Sequence, residues 1–284
     1  MKTILVTGAA GMIGKAVVEM LLSKGYNVIA TDKAPDPFGG TDNLSYIQCP
    51  ITDKEKITGI LNGSKVDILL HLACTVDNDY PAVLSSEEEK ESAAVDKYLY
   101  KAAVSANLSD IMMISTHLIY APQKTREPIR ETMAEKPSSI YAKLKSDSEK
   151  ALANALKKAE TKGVIMRVCP IYTKDFTDNL KAKIYDPKDG CAFVYGYGDY
   201  GYTFTCLYNI VDFIYGILTC PSGITYQFSF SEASVRVSET LSTVSVSTTA
   251  FPLIRSHSAS VTKILSSCTC CNTCSGRTAS LADA

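Results

Sequence analysis

Tyr141 and Lys145 stand at positions i and i+4 of a stretch with helical periodicity, so both side chains leave one face. A phenol is a poor base, with an ordinary pKa near 10. An ammonium beside it stabilises the phenolate, lowers that pKa and makes Tyr141 a usable general acid/base near neutrality. Upstream, Ser115-Thr116 closes the apolar run Ile111-Met112-Met113-Ile114. A hydroxyl there, such as that of Thr116, could hold a reacting hydroxyl or carbonyl in line. Tyr-x-x-x-Lys alone is a common coincidence, an aromatic beside a solvated lysine. It gains weight only from what precedes it.

What precedes it is Thr7-Gly8-Ala9-Ala10-Gly11-Met12-Ile13-Gly14, a G-x-x-G-x-x-G turn between an apolar run and a helical pattern. Gly8 permits a tight turn, Gly11 lets the backbone approach a pyrophosphate, and Gly14 lets the helix pack close to the strand. The phosphates would sit over the positive helix end, against Met12 and Ile13. An acid, Asp32, follows at the end of the second apolar run, where a ribose hydroxyl partner is expected. Asp32 would repel a 2′-phosphate, which favours NAD over NADP. Lys33 beside it blunts that preference.

The elements that must position these residues follow from two alternating periods. Short apolar runs at Ile4–Val6, Val28–Ala30, Tyr46–Ile47, Ile68–Leu72, Ile111–Ile114 and Val164–Met166 read as buried strands. Helical spacing covers Met12–Ser23, Lys54–Leu61, Glu87–Ala106, a long helix opened by Pro137-Ser138-Ser139 and running to about Thr161, and Asn209–Leu218. Glu87 to Glu91 is the acidic first turn of its helix. Strands alternating with helices mean a doubly wound α/β fold with a Rossmann-like parallel sheet, followed by a small C-terminal substrate lobe that reads as incomplete. The divisions are 1–170 for the NAD-binding domain, 171–240 for a substrate lobe with interleaved sheet elements, and 241–284 for a Ser/Thr/Cys-rich tail.

Composition narrows the class. Apolar residues make up 46% and charged residues 21% of the 284, which excludes wholesale disorder. A net charge of -1 supplies no basic field for nucleic acid. No apolar run approaches the roughly 20 residues that span a bilayer, and the opening Met1–Val6 lacks a full signal-peptide core. The chain reads as cytoplasmic, and six of its ten cysteines are single, apolar-flanked thiols. Cys268, Cys270, Cys271 and Cys274 crowd together without a second knuckle, so no metal is expected. From Leu241 onward 17 of 44 residues are Ser or Thr, which reads as a disordered tail or a stretch translated out of frame.

With these residues in view, the chain resembles the extended short-chain dehydrogenases/reductases, in particular the NAD-dependent epimerase/dehydratase group. The likeness rests on Thr7–Gly14, on His71-Leu72-Ala73, on Ser115–Ala121 and on Tyr141–Lys145, with weaker echoes at Met166–Tyr172 and Val194–Tyr200. It implies a Tyr141, Lys145, Thr116 catalytic set, Lys145 also holding the nicotinamide ribose. It further implies NAD contacts from the glycine turn, Asp32, Ile51, Leu72 and Ala73. The implied activity is hydride transfer on a nucleotide sugar, by epimerisation or net oxidation. Reduction of a small carbonyl, or dinucleotide binding without turnover, are the alternatives. Homodimerisation through a four-helix bundle is also implied.

The departures from that group are specific. Pro50 replaces an acid in the Cys49–Asp53 loop, Ser92 stands for a common Asn, and Cys169-Pro170 replaces a polar segment near the substrate. The dehydratase branch carries an Asp-Glu pair after the Thr; His117-Leu118 stands here, which disfavours dehydration. His117 reads as a structural residue before a substrate contact. The tyrosines at Tyr195–Tyr202 suit either a stacking platform or ordinary loop packing.

Overall fold

The structure is a computed structural model that describes residues 2–74, 86–121, 129–184 and 203–219, together with the strand segments at 229–230, 233–234, 236–237 and 241–246. Strand β1 (Thr3–Thr7) leads through the glycine turn into α1 (Met12–Ser23), then β2 (Asn27–Asp32), β3 (Leu44–Gln48), α2 (Lys54–Gly63) and β4 (Ile68–His71). Next come α3 (Ser86–Ser105), β5 (Asp110–Thr116), a 3-10 turn (His117–Ile119), α4 (Ile140–Leu156) and β6 (Lys162–Val168). Beyond these lie β7 (Ile171–Tyr172), α5 (Asp178–Ile184), β8 (Thr205–Cys206) and α6 (Leu207–Thr219). The last segments are β9 (Ser229–Phe230), β10 (Ala233–Ser234), β11 (Arg236–Val237) and β12 (Leu241–Val246).

The sheet order is β11-β12-β6-β5-β4-β1-β2-β3, parallel throughout except at β11. The progression reverses between β1 and β4, and a crevice at the carboxyl ends of the strands opens at such a reversal. Side chains alternate between two cores, as a period of two requires. Ile4, Val6, Val28, Ala30, Ile68, Leu70, Met112 and Met166 face α1 and α6. Leu5, Ile29, Leu69, Ile111, Met113 and Ile165 face α2, α3 and α4. The strands β1, β2, β4 and β5 are therefore apolar on both sides, which is why each reads as a continuous run.

Local chemistry sets the helix ends. Asp53 caps α2 by accepting from Lys56 N, and Ser139 caps α4 by accepting from Ala142 N. Helix α1 closes with Gly25 N–H on Leu22 O and Tyr26 N–H on Leu21 O, a paired C-terminal motif.

Two boundaries differ from the sequence reading. Helix α4 stops at Leu156, short of Thr161, although Lys157–Glu160 has good helix propensity. Thr161 is instead buried, its hydroxyl donating to Leu108 O at 2.7 Å as the chain turns into β6. Residues 241–246, assigned above to an irregular tail, form β12 beside β6, from Leu241 opposite Gly163 to Val246 opposite Val168. In Leu-Ser-Thr-Val-Ser-Val only Val244-Ser245-Val246 alternates apolar and polar residues, too short a pattern to stand out in a Ser/Thr-rich stretch. Residues 247–284, including the clustered cysteines, and the Tyr-rich stretch 195–202 lie outside the described residues.

Candidate functional site

The glycine turn is built by sterics. Gly8 has φ +73, and a Cβ there would lie 2.6 Å from Ala73 N. At Gly14 a Cβ would lie 2.1 Å from Gly8 O and 2.7 Å from Ala9 Cα. The turn is thus folded onto itself and onto the end of β4, at the point where the sheet order reverses. Gly11 is less constrained, its nearest neighbour being Gly8 O at 3.3 Å.

Unlike α2 and α4, α1 begins without a side-chain cap. Its N-cap is Gly11, and no acidic residue occupies its first turn. The amides of Met12 and Ile13 are left to a ligand, and the helix dipole adds positive potential there. A phosphate group fits this cradle on steric and electrostatic grounds. Asp32 closes the other side of the turn, accepting from Ala10 N and from Ala34 N, both at 3.0 Å. Each carboxylate oxygen retains a lone pair for a ribose hydroxyl. Leu72 N–H bonds Thr7 O at 3.1 Å, which seats Leu72-Ala73 beside β1. Ile51 lies in the turn before α2 and packs partly against the second core.

Lys145 is 5% exposed, and its Nζ donates to Ile114 O at 3.0 Å. The same Nζ lies 6.0 Å from the Tyr141 ring centroid. Burial alone would lower the Lys145 pKa, but Cys74, Tyr141, Asp96 and Glu149 raise it instead, so the ammonium remains charged. Tyr141 differs from the expectation of a depressed phenol. Its burial raises the pKa, Lys145 opposes without cancelling that effect, and Cys74 adds to the rise. In the unliganded chain Tyr141 is therefore the protonated, proton-donating form. Thr116 Oγ1 accepts from Leu118 N at 3.2 Å and caps the 3-10 turn, an arrangement that does not use its own O–H. His117 faces the backbone, its Nδ1 lying 3.3 Å from Val168 O.

Two buried polar clusters escaped the sequence reading. His71 bridges Thr7 Oγ1 (2.8 Å) and Asp96 Oδ1 (3.1 Å), linking β4, β1 and α3. Burial would raise the Asp96 pKa, yet His71 and Lys145 hold it below the ordinary value. The second cluster centres on Arg167 of β6, whose guanidinium binds Glu149 of α4 and Glu135. A charged residue inside the apolar run Val-Ile-Met-Arg-Val signals a buried partner, and Glu149 sits one turn beyond Lys145 on the same helix face. Those two signals could have suggested the pair.

Among the described residues no cluster of His, Cys, Asp or Glu could hold a metal ion, and no helix is long and apolar enough to cross a membrane. A groove of about 310 Å³ lies between α3 and α4, lined by Lys97, Lys101, Asp147 and Lys150 among others. It contains none of the candidate site residues.

The thiols near the site separate cleanly. Burial pushes Cys169 up to about 12, a hydrogen bond with Thr205 only partly opposing it. Cys74, three residues beyond the end of β4, is exposed. Since thiolate is the nucleophile, iodoacetamide at pH 8 is expected to label Cys74 in the folded chain while Cys169 stays unmodified. Peptide mass spectrometry checks this, and early labelling of Cys169 would contradict the burial described here.

The fold and the sequence have counterparts among known proteins. The profile of the NAD dependent epimerase/dehydratase family matches residues 4–187. A 3 beta-hydroxysteroid dehydrogenase/Delta 5-->4-isomerase of Vaccinia virus (strain Ankara) is 28% identical over 181 residues, covering 59% of this chain and 49% of that protein. UDP-glucose 4-epimerase of Drosophila melanogaster is 24% identical over 170 residues, covering 55% and 49%. The chain thus spans about half the length of the curated relatives it matches. Among solved structures, UDP-glucuronic acid 4-epimerase from Bacillus cereus, in complex with UDP-glucuronic acid and NAD, superposes with a TM-score of 0.64 at 20% identity. That match covers 78% of this chain and 74% of that one. It is a likeness of fold.

Proposed function

Because the chain belongs to the NAD-dependent epimerase/dehydratase family, we propose that it binds NAD and carries out epimerase-type chemistry on a nucleotide sugar, with Tyr141 as general acid/base. The observation that carries this reading is the uncapped start of α1 at the sheet reversal, together with a Tyr141 whose neighbour Lys145 is buried and charged. Met12 and Ile13 amides would hold the pyrophosphate, Asp32 the adenosine ribose, and Lys145 the second ribose. When bound, NAD⁺ supplies a hydride acceptor and a ring charge that joins Lys145 in favouring the Tyr141 phenolate. Thr116 would donate its free O–H to the substrate oxygen, fixing it in line with Tyr141. Tyr141 would take the hydroxyl proton as the ketone forms and return it as the alcohol is restored. Leu118 cannot transfer a proton, so elimination of water is not part of this reading.

A second reading is reduction of a small carbonyl, supported by the 26% identity over 153 residues to dTDP-4-dehydrorhamnose reductase of Aggregatibacter actinomycetemcomitans. One experiment separates the two. A panel of UDP- and dTDP-sugars is incubated with the protein and NAD, and products are resolved by chromatography while absorbance at the NADH band is followed. Epimerisation gives a new isomer with no net absorbance change, and reduction consumes added NADH. Cys74 alkylation is followed in parallel. Saturating NAD is expected to slow it, and absence of both protection and product would overturn the reading. Homodimerisation is part of the same proposal. The face between α3 and α4 carries exposed Lys97, Lys101 and Lys150, with Asp147 paired to Lys150, so two-fold packing there would have to accommodate a net positive charge.

A further inference from the structure

Arg167 uses all five of its N–H groups in a space it shares with almost no water. Nε donates to Glu149 Oε1 (3.1 Å) and Oε2 (3.2 Å), and Nη2 donates to Glu149 Oε2 (2.5 Å) and Glu135 Oε1 (2.8 Å). Nη1 donates to the Tyr120 hydroxyl and to Glu131 O (3.4 Å). Ser115 completes the cluster by donating to Glu149, and Ser146 by donating to Glu135 at 2.9 Å. Arg167 is 5% exposed and Glu149 4%. Burying such a group is costly, and well-packed apolar residues of similar size are often at least as stable. Stability is therefore a weak reason for it.

What the cluster joins supplies a better one. Ser115 is the residue before Thr116 and lies opposite Arg167 in the β5–β6 register. Glu149 is two helical turns beyond Tyr141 on the same face of α4. Glu131 and Glu135 belong to the segment that delivers the chain into α4, which is further tied by the Tyr120–Glu135 bridge and by Lys136 N–H on Ile119 O at 2.7 Å. The planar guanidinium on β6 thus ties together three parts of the chain, the end of β5, helix α4 and the incoming segment. A point charge could not satisfy these acceptors together.

We propose that Arg167 and Glu149 form a positioning clamp that fixes Tyr141 relative to Thr116 without contacting the cofactor. The proposal rests on the catalytic reading of Tyr141 given above. The glycine turn and Asp32, on the other half of the sheet, lie outside the clamp, so catalysis and cofactor binding should separate.

The test is Arg167→Met/Glu149→Leu, which removes both buried charges together and leaves Glu135 able to turn toward water. This variant is expected to bind NAD as the unaltered chain does by calorimetry. Its kcat should fall about 100-fold, the order that a small misplacement of reacting groups costs, with KM little changed. Trypsin should cut faster after Arg130, because the segment has lost its anchor. Wild-type kcat would overturn the clamp, whatever the rate of cleavage, and leave Arg167 and Glu149 only a packing role. Should the double variant not fold, Arg167→Lys, which keeps the charge and loses the fork, is judged by the same two readouts. Tyr141→Phe is run alongside. If it remains active, the catalytic reading fails, and the rate of cleavage after Arg130 still decides whether the clamp holds its segment.

Discussion

Replacing Tyr141 with Phe is expected to lower turnover by about 10²- to 10⁴-fold, the usual contribution of a positioned acid/base. The ring stays, so packing and its contact with Lys145 at 6.0 Å from the centroid should persist, and NAD affinity should be unchanged. Only the ionisable oxygen is lost. The half-buried phenol is raised by burial against the pull of Lys145, so the wild-type rate should climb with pH as the phenolate forms. In Tyr141→Phe that dependence should vanish along with the activity. Kinetics across pH 6 to 10, with calorimetry of NAD binding on the same preparations, check both statements. A fully active Phe variant would remove Tyr141 from the mechanism.

The second large effect belongs to Gly14. An alanine methyl there must occupy space 2.1 Å from Gly8 O and 2.7 Å from Ala9 Cα, both backbone, so no side chain can move aside to admit it. Opening the turn should cost on the order of 1–3 kcal/mol, as overpacking does. At roughly 2–4 °C per kcal/mol for a chain of this size, Tm should fall by several degrees, and NAD binding should weaken with it. Gly59 makes the control. It lies inside α2, and a methyl added there would meet nothing within 4 Å. Gly59→Ala should raise stability by about 0.4–1 kcal/mol and leave binding untouched. Thermal unfolding of the two variants, with opposite signs expected, checks the packing argument. Equal shifts would sink it.

The fold was legible where punctuation and periodicity agreed. Helix α1 begins after Gly11 and ends before Gly25, so its limits at Met12 and Ser23 could be read directly. The strands were visible because both faces are buried. Residues of the candidate site were legible when their chemistry was local: the glycine spacing, Asp32 at a strand end, Tyr141 and Lys145 on one helix face. What lay hidden depended on partners far along the chain. Lys157–Glu160 favours helix, and only the burial of Thr161 against Leu108 shows why α4 has already stopped. That the Ser115 hydroxyl beside Thr116 is committed to Glu149 could not be read from its place at a strand end. The phenol's raised pKa was equally beyond reach, because spacing reveals the lysine but not the desolvation opposing it.

The two cores on either side of the sheet are completed at different moments of synthesis. The face against α2, α3 and α4 closes once Leu152, Leu156 and Ile165 have emerged. Among the described residues, the helical cover of its opposite is α1 until Ile210, Val211, Phe213 and Ile214 arrive with α6. At roughly 5–20 residues per second, the stretch from Val168 to Leu207 keeps that face uncovered for some seconds. Over that interval a nascent chain offers Val164, Met166 and Val168 to any apolar surface near the ribosome. A lesion that slows or weakens α6 would then be felt first as lost yield, before any change in the chemistry of the mature site.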